Sequence, residues 1–89
     1  MEKMKLFRLY TEDIQRKEIE RIILTRFSSW TFLEGRGCWQ GGRENSLIIE
    51  IIASAVCLRS VEDIARRIKR TNNQQSVLIT VTDIEIEYI

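Results

Sequence analysis

The stretch that decides the fold is TFLEGRGCWQGGRENSLIIEII, residues 31–52. Aromatic and β-branched residues from Trp30 to Leu33 predict a strand at its beginning. At its end, the apolar run from Leu47 to Ile52, interrupted only by Glu50, predicts a central strand buried on both faces. All four glycines of the chain lie between these strands, at 35–42. The stretch therefore predicts a long hairpin with an irregular, glycine-rich tip.

One strand and one helix are predicted before the hairpin. Residues 5–10 are moderately apolar on both faces and predict a first strand. Apolar residues then recur at helical spacing over about residues 12–26, which predicts a helix. Thr11 is the expected cap of this helix, because a threonine hydroxyl accepts a hydrogen bond from an early backbone N–H.

One helix and one strand are predicted after the hairpin. Ser60 opens the second helix, with Asp63 three residues later. Residues 76–82 predict the fourth strand, and alternating apolar and acidic residues over 84–89 predict a C-terminal strand extension, available to a neighbouring sheet edge. Residues 1–89 therefore predict a single α+β domain of the ferredoxin-like β-α-β-β-α-β type. Its antiparallel four-stranded sheet carries both helices on one face.

Length, charge and composition exclude several functions. Eighty-nine residues allow one small domain, and 14 basic against 13 acidic residues argue against nucleic-acid binding. Two cysteines without any histidine make neither a metal framework nor a disulfide scaffold. We see no signal peptide and no apolar run long enough for a bilayer. We expect a cytoplasmic protein with no cofactor, no metal and no membrane association.

The predicted sheet carries more apolar side chains than two helices can cover. Strand side chains alternate between the two faces of a sheet, so many of them must point away from the helices. A large apolar face is typical of an association surface. We therefore expect a homo-oligomer, either a trimer or a dimer.

The hairpin resembles two related protein families. The Gly-x-Gly at 35–37, followed by the apolar run 47–52, resembles the PII signalling proteins. The Trp-x-Gly at 39–41, followed by Glu44, resembles the CutA proteins. Both families are compact homotrimers with ligand clefts between subunits, so the resemblance implies that assembly. The resemblance does not extend to the PII triphosphate site, because residues 73–76 stand in place of its Gly-Asp-Gly-Lys turn. It does not extend to CutA-like copper binding either, because histidine is absent.

A looser resemblance lies at the level of architecture. Some small phage proteins sequester nucleotide-derived immune signals, and several are compact oligomers with pockets between subunits and no catalytic residues. This chain is similar in size, in charge balance and in its lack of a catalytic set. The analogy implies a counter-defence sponge as one form of ligand capture.

The glycine-rich segment 35–43 is the best candidate site. Its glycines let backbone N–H groups approach an anion, its arginines can bind phosphate, and its tryptophan can stack on a base. A carboxylate in an apolar strand, as at Glu50, must pair with a cation such as Arg8 or Arg36, or face a cleft. The candidate ligand-binding residues are Tyr10, Thr11, Arg36, Gly37, Trp39, Gln40, Arg43 and Glu50.

These features favour a non-catalytic protein that captures an anionic, nucleotide-like ligand at subunit interfaces, to sense or to sequester it. Two alternatives stay open. One is a small enzyme that uses Glu50 or Cys38, although no histidine is available to activate the thiol. The other is a purely structural interaction protein, in which Trp39 packs against a neighbouring subunit at a twisted hairpin tip.

Overall fold

The computed structural model describes residues 1–89 and contains one four-stranded antiparallel sheet with two α-helices. The strands follow the order β2-β3-β1-β4 across the sheet. This confirms the predicted ferredoxin-like β-α-β-β-α-β fold. The elements are β1 (Glu2–Glu12), α1 (Arg16–Leu24), β2 (Thr31–Trp39), β3 (Gly42–Ala53), a 3-10 turn (Ala55–Cys57), α2 (Leu58–Thr71) and β4 (Leu78–Ile86).

The core lies between the two helices and one face of the sheet. Burial alternates along the two central strands, β1 and β3, so each buries every second side chain. The prediction that β3 is buried on both faces is therefore wrong within one chain, although its central position is confirmed. The largest fully buried side chains are Phe7, Leu9, Ile19, Ile23, Leu47, Ile49, Ile51, Val61, Ile64 and Ile68.

The other face of the sheet is covered by no element of the chain, and we call it the open face. Strand pairing places Leu6 beside Ile52, and Tyr10 between Ile48 and Leu78. Ile52 and Leu78 are each about half exposed. The apolar side chains of the open face are Met4, Leu6, Tyr10, Leu33, Trp39, Ile48, Ile52, Leu78, Ile84 and Ile86.

Both predicted helix starts are wrong. β1 continues through Thr11, whose pairing with Leu47 gives it a place in the sheet instead of a helix cap. Helix α1 begins only at Arg16, after Gln15 adopts a left-handed backbone with φ 52°. Helix α2 begins two residues before Ser60, because the 3-10 turn runs directly into it. At Thr11 strand pairing outweighs the local preference for a hydroxyl cap, and at Ser60 the continuation of the 3-10 turn does.

The glycine-rich segment forms regular strand instead of an irregular tip. β2 pairs with β3 along its whole length, through Gly35 and Gly37 to Trp39. Only Gln40 and Gly41 turn the chain, with φ values of 47° and 83°. Positive φ at both turn residues is the pattern of a type I′ hairpin, whose twist matches that of the flanking strands.

The C-terminal extension is a continuation of β4. Ile84 pairs with Met4 and Ile86 with Glu2, both on β1 of the same chain. The outer edge of β4 has no strand partner, because β4 lies at the edge of the sheet. Neither helix combines the length and the apolar character that a membrane span requires.

Candidate functional site

A crevice of about 380 Å³ lies at one end of the open face. The hairpin and the end of β1 form one wall, and the connection between α2 and β4 forms the other. We call it the Trp39 crevice. Its lining residues are Tyr10, Glu12, Gly37, Cys38, Trp39, Glu44, Ser46, Asn73, Gln74, Gln75, Ser76 and Leu78.

The tryptophan reaches the crevice because of strand alternation. β2 pairs with β3 so that Leu33 lies opposite Ile48 on the open face, and every second residue from Leu33 onward shares that face. Trp39 is the last residue of this series and is 51% exposed. The indole Nε1 donates to Oε1 of Gln75 across the crevice at 3.4 Å. The ring therefore stands at the mouth of the crevice and can contact a planar ligand.

A buried polar cluster holds the opposite wall in place. The hydroxyl of Thr11 donates to Oε1 of Gln74, and Nδ2 of Asn72 donates to the same oxygen at 2.9 Å. Asn72 Nδ2 also contacts Thr11 Oγ1 at 3.3 Å, and Gln74 Nε2 donates to the carbonyl of Ser76 at 2.8 Å. Thr11 and Asn72 are both buried. Thr11 thus supports the wall from behind and does not line the crevice.

The two arginines of the candidate set lie on the other side of the sheet. Arg36 alternates with Gly37 and belongs to the face that carries the helices, and Arg43 pairs with Cys38 on that same face. They border a neighbouring surface hollow that shares Gly37, Cys38 and Glu44 with the crevice. Within one protomer, the Trp39 ring and the two arginines do not converge on one ligand.

Gln40 and Glu50 also lie outside the crevice. Gln40 is an exposed turn residue. Glu50 lies on the open face and accepts a hydrogen bond from Nε of Arg8 at 2.8 Å, so it has one of its two expected partners. This hydrogen bond holds the pKa of the Arg8 guanidinium above its usual value. Of the eight candidate residues, the crevice brings together Tyr10, Gly37 and Trp39.

The crevice also contains residues that sequence analysis missed. Gln74 and Gln75 lie in the segment 73–76, which we interpreted only as the replacement for the PII triphosphate-binding turn and not as part of a site. Their signal is the run of four side-chain amides at 72–75. Nothing in that run alone shows that it faces the hairpin, because the two segments are separated by more than 30 residues. Cys38 borders the crevice and is a free cysteine, but strand alternation assigns its thiol to the helix-bearing face together with Arg43.

No protein-family model matches this sequence, and no curated protein matches it either. Solved structures do share its fold. CPII, a PII-like nitrogen regulatory protein from Thiomonas intermedia K12 bound to ADP, AMP and bicarbonate, matches with a TM-score of 0.77 and 11% identity, over 99% of this chain and 97% of that chain. The ATP complex of GlnK from B. subtilis gives 0.69 and 22%, over 92% and 82%. A phage SAM lyase in complex with S-methyl-5′-thioadenosine gives 0.70 and 18%, over 97% and 92%.

These similarities establish the fold. The chain has the PII-like ferredoxin fold, and the match extends over nearly its whole length. The predicted resemblance to PII proteins is confirmed at that level. The resemblance to CutA proteins stays a prediction.

Proposed function

We propose that copies of this chain associate through the open face, and that the Trp39 crevice captures a nucleotide-like ligand at the border between subunits without converting it. The observation that carries the proposal is the crevice itself, in which an exposed indole faces a wall of side-chain amides. An aromatic ring can stack on any base. The amide of Gln75 can donate to and accept from a base edge, whereas Gln74, whose Oε1 already accepts two hydrogen bonds, keeps one N–H to donate.

The ligands of the three similar structures support a nucleoside as the recognised group. They are ADP and AMP for CPII, ATP for GlnK and S-methyl-5′-thioadenosine for the phage lyase. Apart from the bicarbonate of CPII, these ligands share an adenosyl group, whereas their phosphate content ranges from three groups to none. We therefore take adenosine compounds as the first probes.

The open face supports the association. Its apolar side chains come from all four strands and form two groups, one on each side of a polar row made of Thr31, Glu50, Arg8 and Thr80. Such a surface in contact with water is unfavourable, and a second copy of the chain can cover it. The Trp39 crevice lies at the end of this surface, so an associated copy would lie close to a bound ligand.

Capture without chemistry would serve either sensing or sequestration. A phage sponge for a nucleotide-derived signal is the sequestering form of this proposal. A cytoplasmic location belongs to the same proposal and agrees with the two free thiols, Cys38 and Cys57.

We expect Trp39→Ala to weaken the binding of adenosine, AMP or ATP, whichever binds best, by about 5- to 150-fold, because stacking on one aromatic ring contributes roughly 1–3 kcal/mol. Isothermal titration calorimetry measures the change. Trp30→Phe is the matched control, since Trp30 packs beside Phe32 with ring centroids 6.0 Å apart and lies outside the crevice. Equal binding by Trp39→Ala and the native chain would contradict the proposal, as would a native chain that binds no adenosine compound.

We expect Gly37→Ala to weaken binding of the same ligand by about 5- to 150-fold, because overpacking a filled site costs roughly 1–3 kcal/mol. A Cβ at Gly37 would lie 2.7 Å from Oγ of Ser46 on the crevice floor. Gly35→Ala is the control on the same strand, where the new Cβ would make an ordinary contact of 3.9 Å with Cδ1 of Ile48. Both variants are compared by titration and by thermal unfolding. Equal affinities in the two variants would mean that the ligand does not contact the crevice floor at Gly37.

An enzyme is the second candidate function, because one of the similar structures is a lyase. In this chain Cys38 lines the crevice, and Glu50 lies outside it in a pair with Arg8. Mass spectrometry of the ligand after long incubation distinguishes the two candidates. An unchanged ligand supports capture. A product that disappears with Glu50→Gln or Cys38→Ser would assign an enzyme.

A further inference from the structure

We propose that the Trp39 crevice selects a nucleoside that carries a positively charged group, such as a sulfonium or an ammonium, in preference to one that carries phosphate. This inference rests on the proposed function, because it describes the ligand of the same crevice. It replaces the anionic ligand expected from the sequence with a cationic one.

The charges that line the crevice are all negative. Glu12 at the end of β1 and Glu44 on β3 are the only ionised side chains among the lining residues, and no lysine or arginine is present. β2 contributes Gly37, Cys38 and the indole of Trp39, and the connection 73–76 contributes two glutamines, an asparagine and a serine. The lining therefore carries a formal charge of −2.

The two carboxylates belong to neighbouring strands on the crevice floor. Glu12 pairs with Ser46 across β1 and β3, and the hydroxyl of Ser46 donates to Oε1 of Glu44 at 3.4 Å. Glu44 pairs with Gly37 on β2. Because glycine has no side chain, nothing from β2 covers the carboxylate of Glu44 at this position. A compact cation on this floor would therefore lie near both carboxylates.

The aromatic side chains add to this preference. Trp39 and Tyr10 both line the crevice, and the face of an aromatic ring attracts a cation. An anion at the same place would meet two carboxylates and the negative faces of the rings. The arginines that would neutralise a phosphate, Arg36 and Arg43, belong to the opposite face of the sheet.

S-adenosylmethionine and S-adenosylhomocysteine provide the sharpest test, because they differ by one methyl group and the sulfonium charge. The 89-residue chain with Trp30→Phe reports binding through Trp39 fluorescence alone, because these are its two tryptophans. We expect the sulfonium compound to bind about three- to tenfold more tightly at low salt, the range for an ion near one or two partly exposed carboxylates. AMP should bind more weakly than adenosine. Raising the salt concentration should shrink both differences.

The variant Glu12→Gln/Glu44→Gln should bring the ratio of the two affinities close to one. Glu87→Gln is the control, since Glu87 follows the end of β4 that lies farthest from the crevice. In Glu87→Gln the ratio of the two affinities should equal that of the native chain. Circular dichroism and thermal unfolding confirm that the variants fold.

Two different failures can be told apart. Suppose adenosine binds in a Trp39-dependent way. If S-adenosylmethionine then binds no more tightly than S-adenosylhomocysteine, or if AMP binds more tightly than adenosine, the charge inference is overturned and the proposed function stands. If no adenosine compound binds in a Trp39-dependent way, both are overturned.

Discussion

Ile52→Glu is expected to convert the assembled protein into monomers. Ile52 lies on the open face beside Leu6 and is 51% exposed in the protomer. A carboxylate there remains hydrated in a free protomer, so the fold should tolerate it. Once a second copy covers the face, the charge is desolvated without a partner, and we expect association to weaken by at least about a hundredfold. Sedimentation velocity over a range of concentrations measures the change.

Val56→Glu is the matched control for this variant. Val56 is 87% exposed in the 3-10 turn before α2 and does not belong to the sheet. The same added charge at this position should leave the assembly intact. A native chain that stays monomeric at every concentration would contradict the expected association. If Ile52→Glu assembles as well as the native chain, the contact between copies does not use the open face.

The same monomers show whether the crevice depends on a neighbouring copy. If a neighbouring subunit completes the site, Ile52→Glu should lose affinity for adenosine compounds although Ile52 does not line the crevice. If the monomer binds with unchanged affinity, the crevice is complete within one protomer. Either result decides whether the ligand lies between subunits.

The element order was predictable because it depends on local periodicity. The apolar runs of β1 and β3 and the apolar stripe of α2 are visible in the sequence, whereas the alternating burial along the two strands is not. The ends of the elements were less predictable, because they depend on pairing over long distances. Thr11 has the chemistry of a helix cap, yet its backbone pairs with Leu47 and its hydroxyl meets Gln74. A rule based on neighbouring residues takes neither of these distant partners into account.

The candidate site was predicted in part for a related reason. Treating the glycine-rich segment as an irregular tip removed the alternation that assigns side chains to faces. As a strand, the same segment places Gly37 and Trp39 on the open face, and Arg36 on the opposite face. The residue types of the site were therefore visible in the sequence. Which of them share one ligand depended on the two-residue turn that fixes the register.

Removing one member of the Arg8–Glu50 pair should harm the assembly more than removing both. The pair lies among apolar neighbours on the open face, with Nε and Oε2 2.8 Å apart. In a free protomer both side chains keep contact with water, and such pairs contribute little to stability. Under a second copy of the chain the pair is desolvated. A lone charge at that place is strongly unfavourable, whereas two apolar residues of similar size are tolerated.

We therefore expect Glu50→Leu alone to weaken association by about 30-fold or more, and Arg8→Leu/Glu50→Leu to associate within about threefold of the native chain or more tightly. The native chain, both single variants and the double variant form a complete cycle, measured by sedimentation equilibrium. Small and additive effects would mean that the pair stays in water in the assembly, so that the second copy covers another part of the sheet. A large non-additive effect would place the pair inside the contact, because only a desolvated partner makes a lone charge so costly.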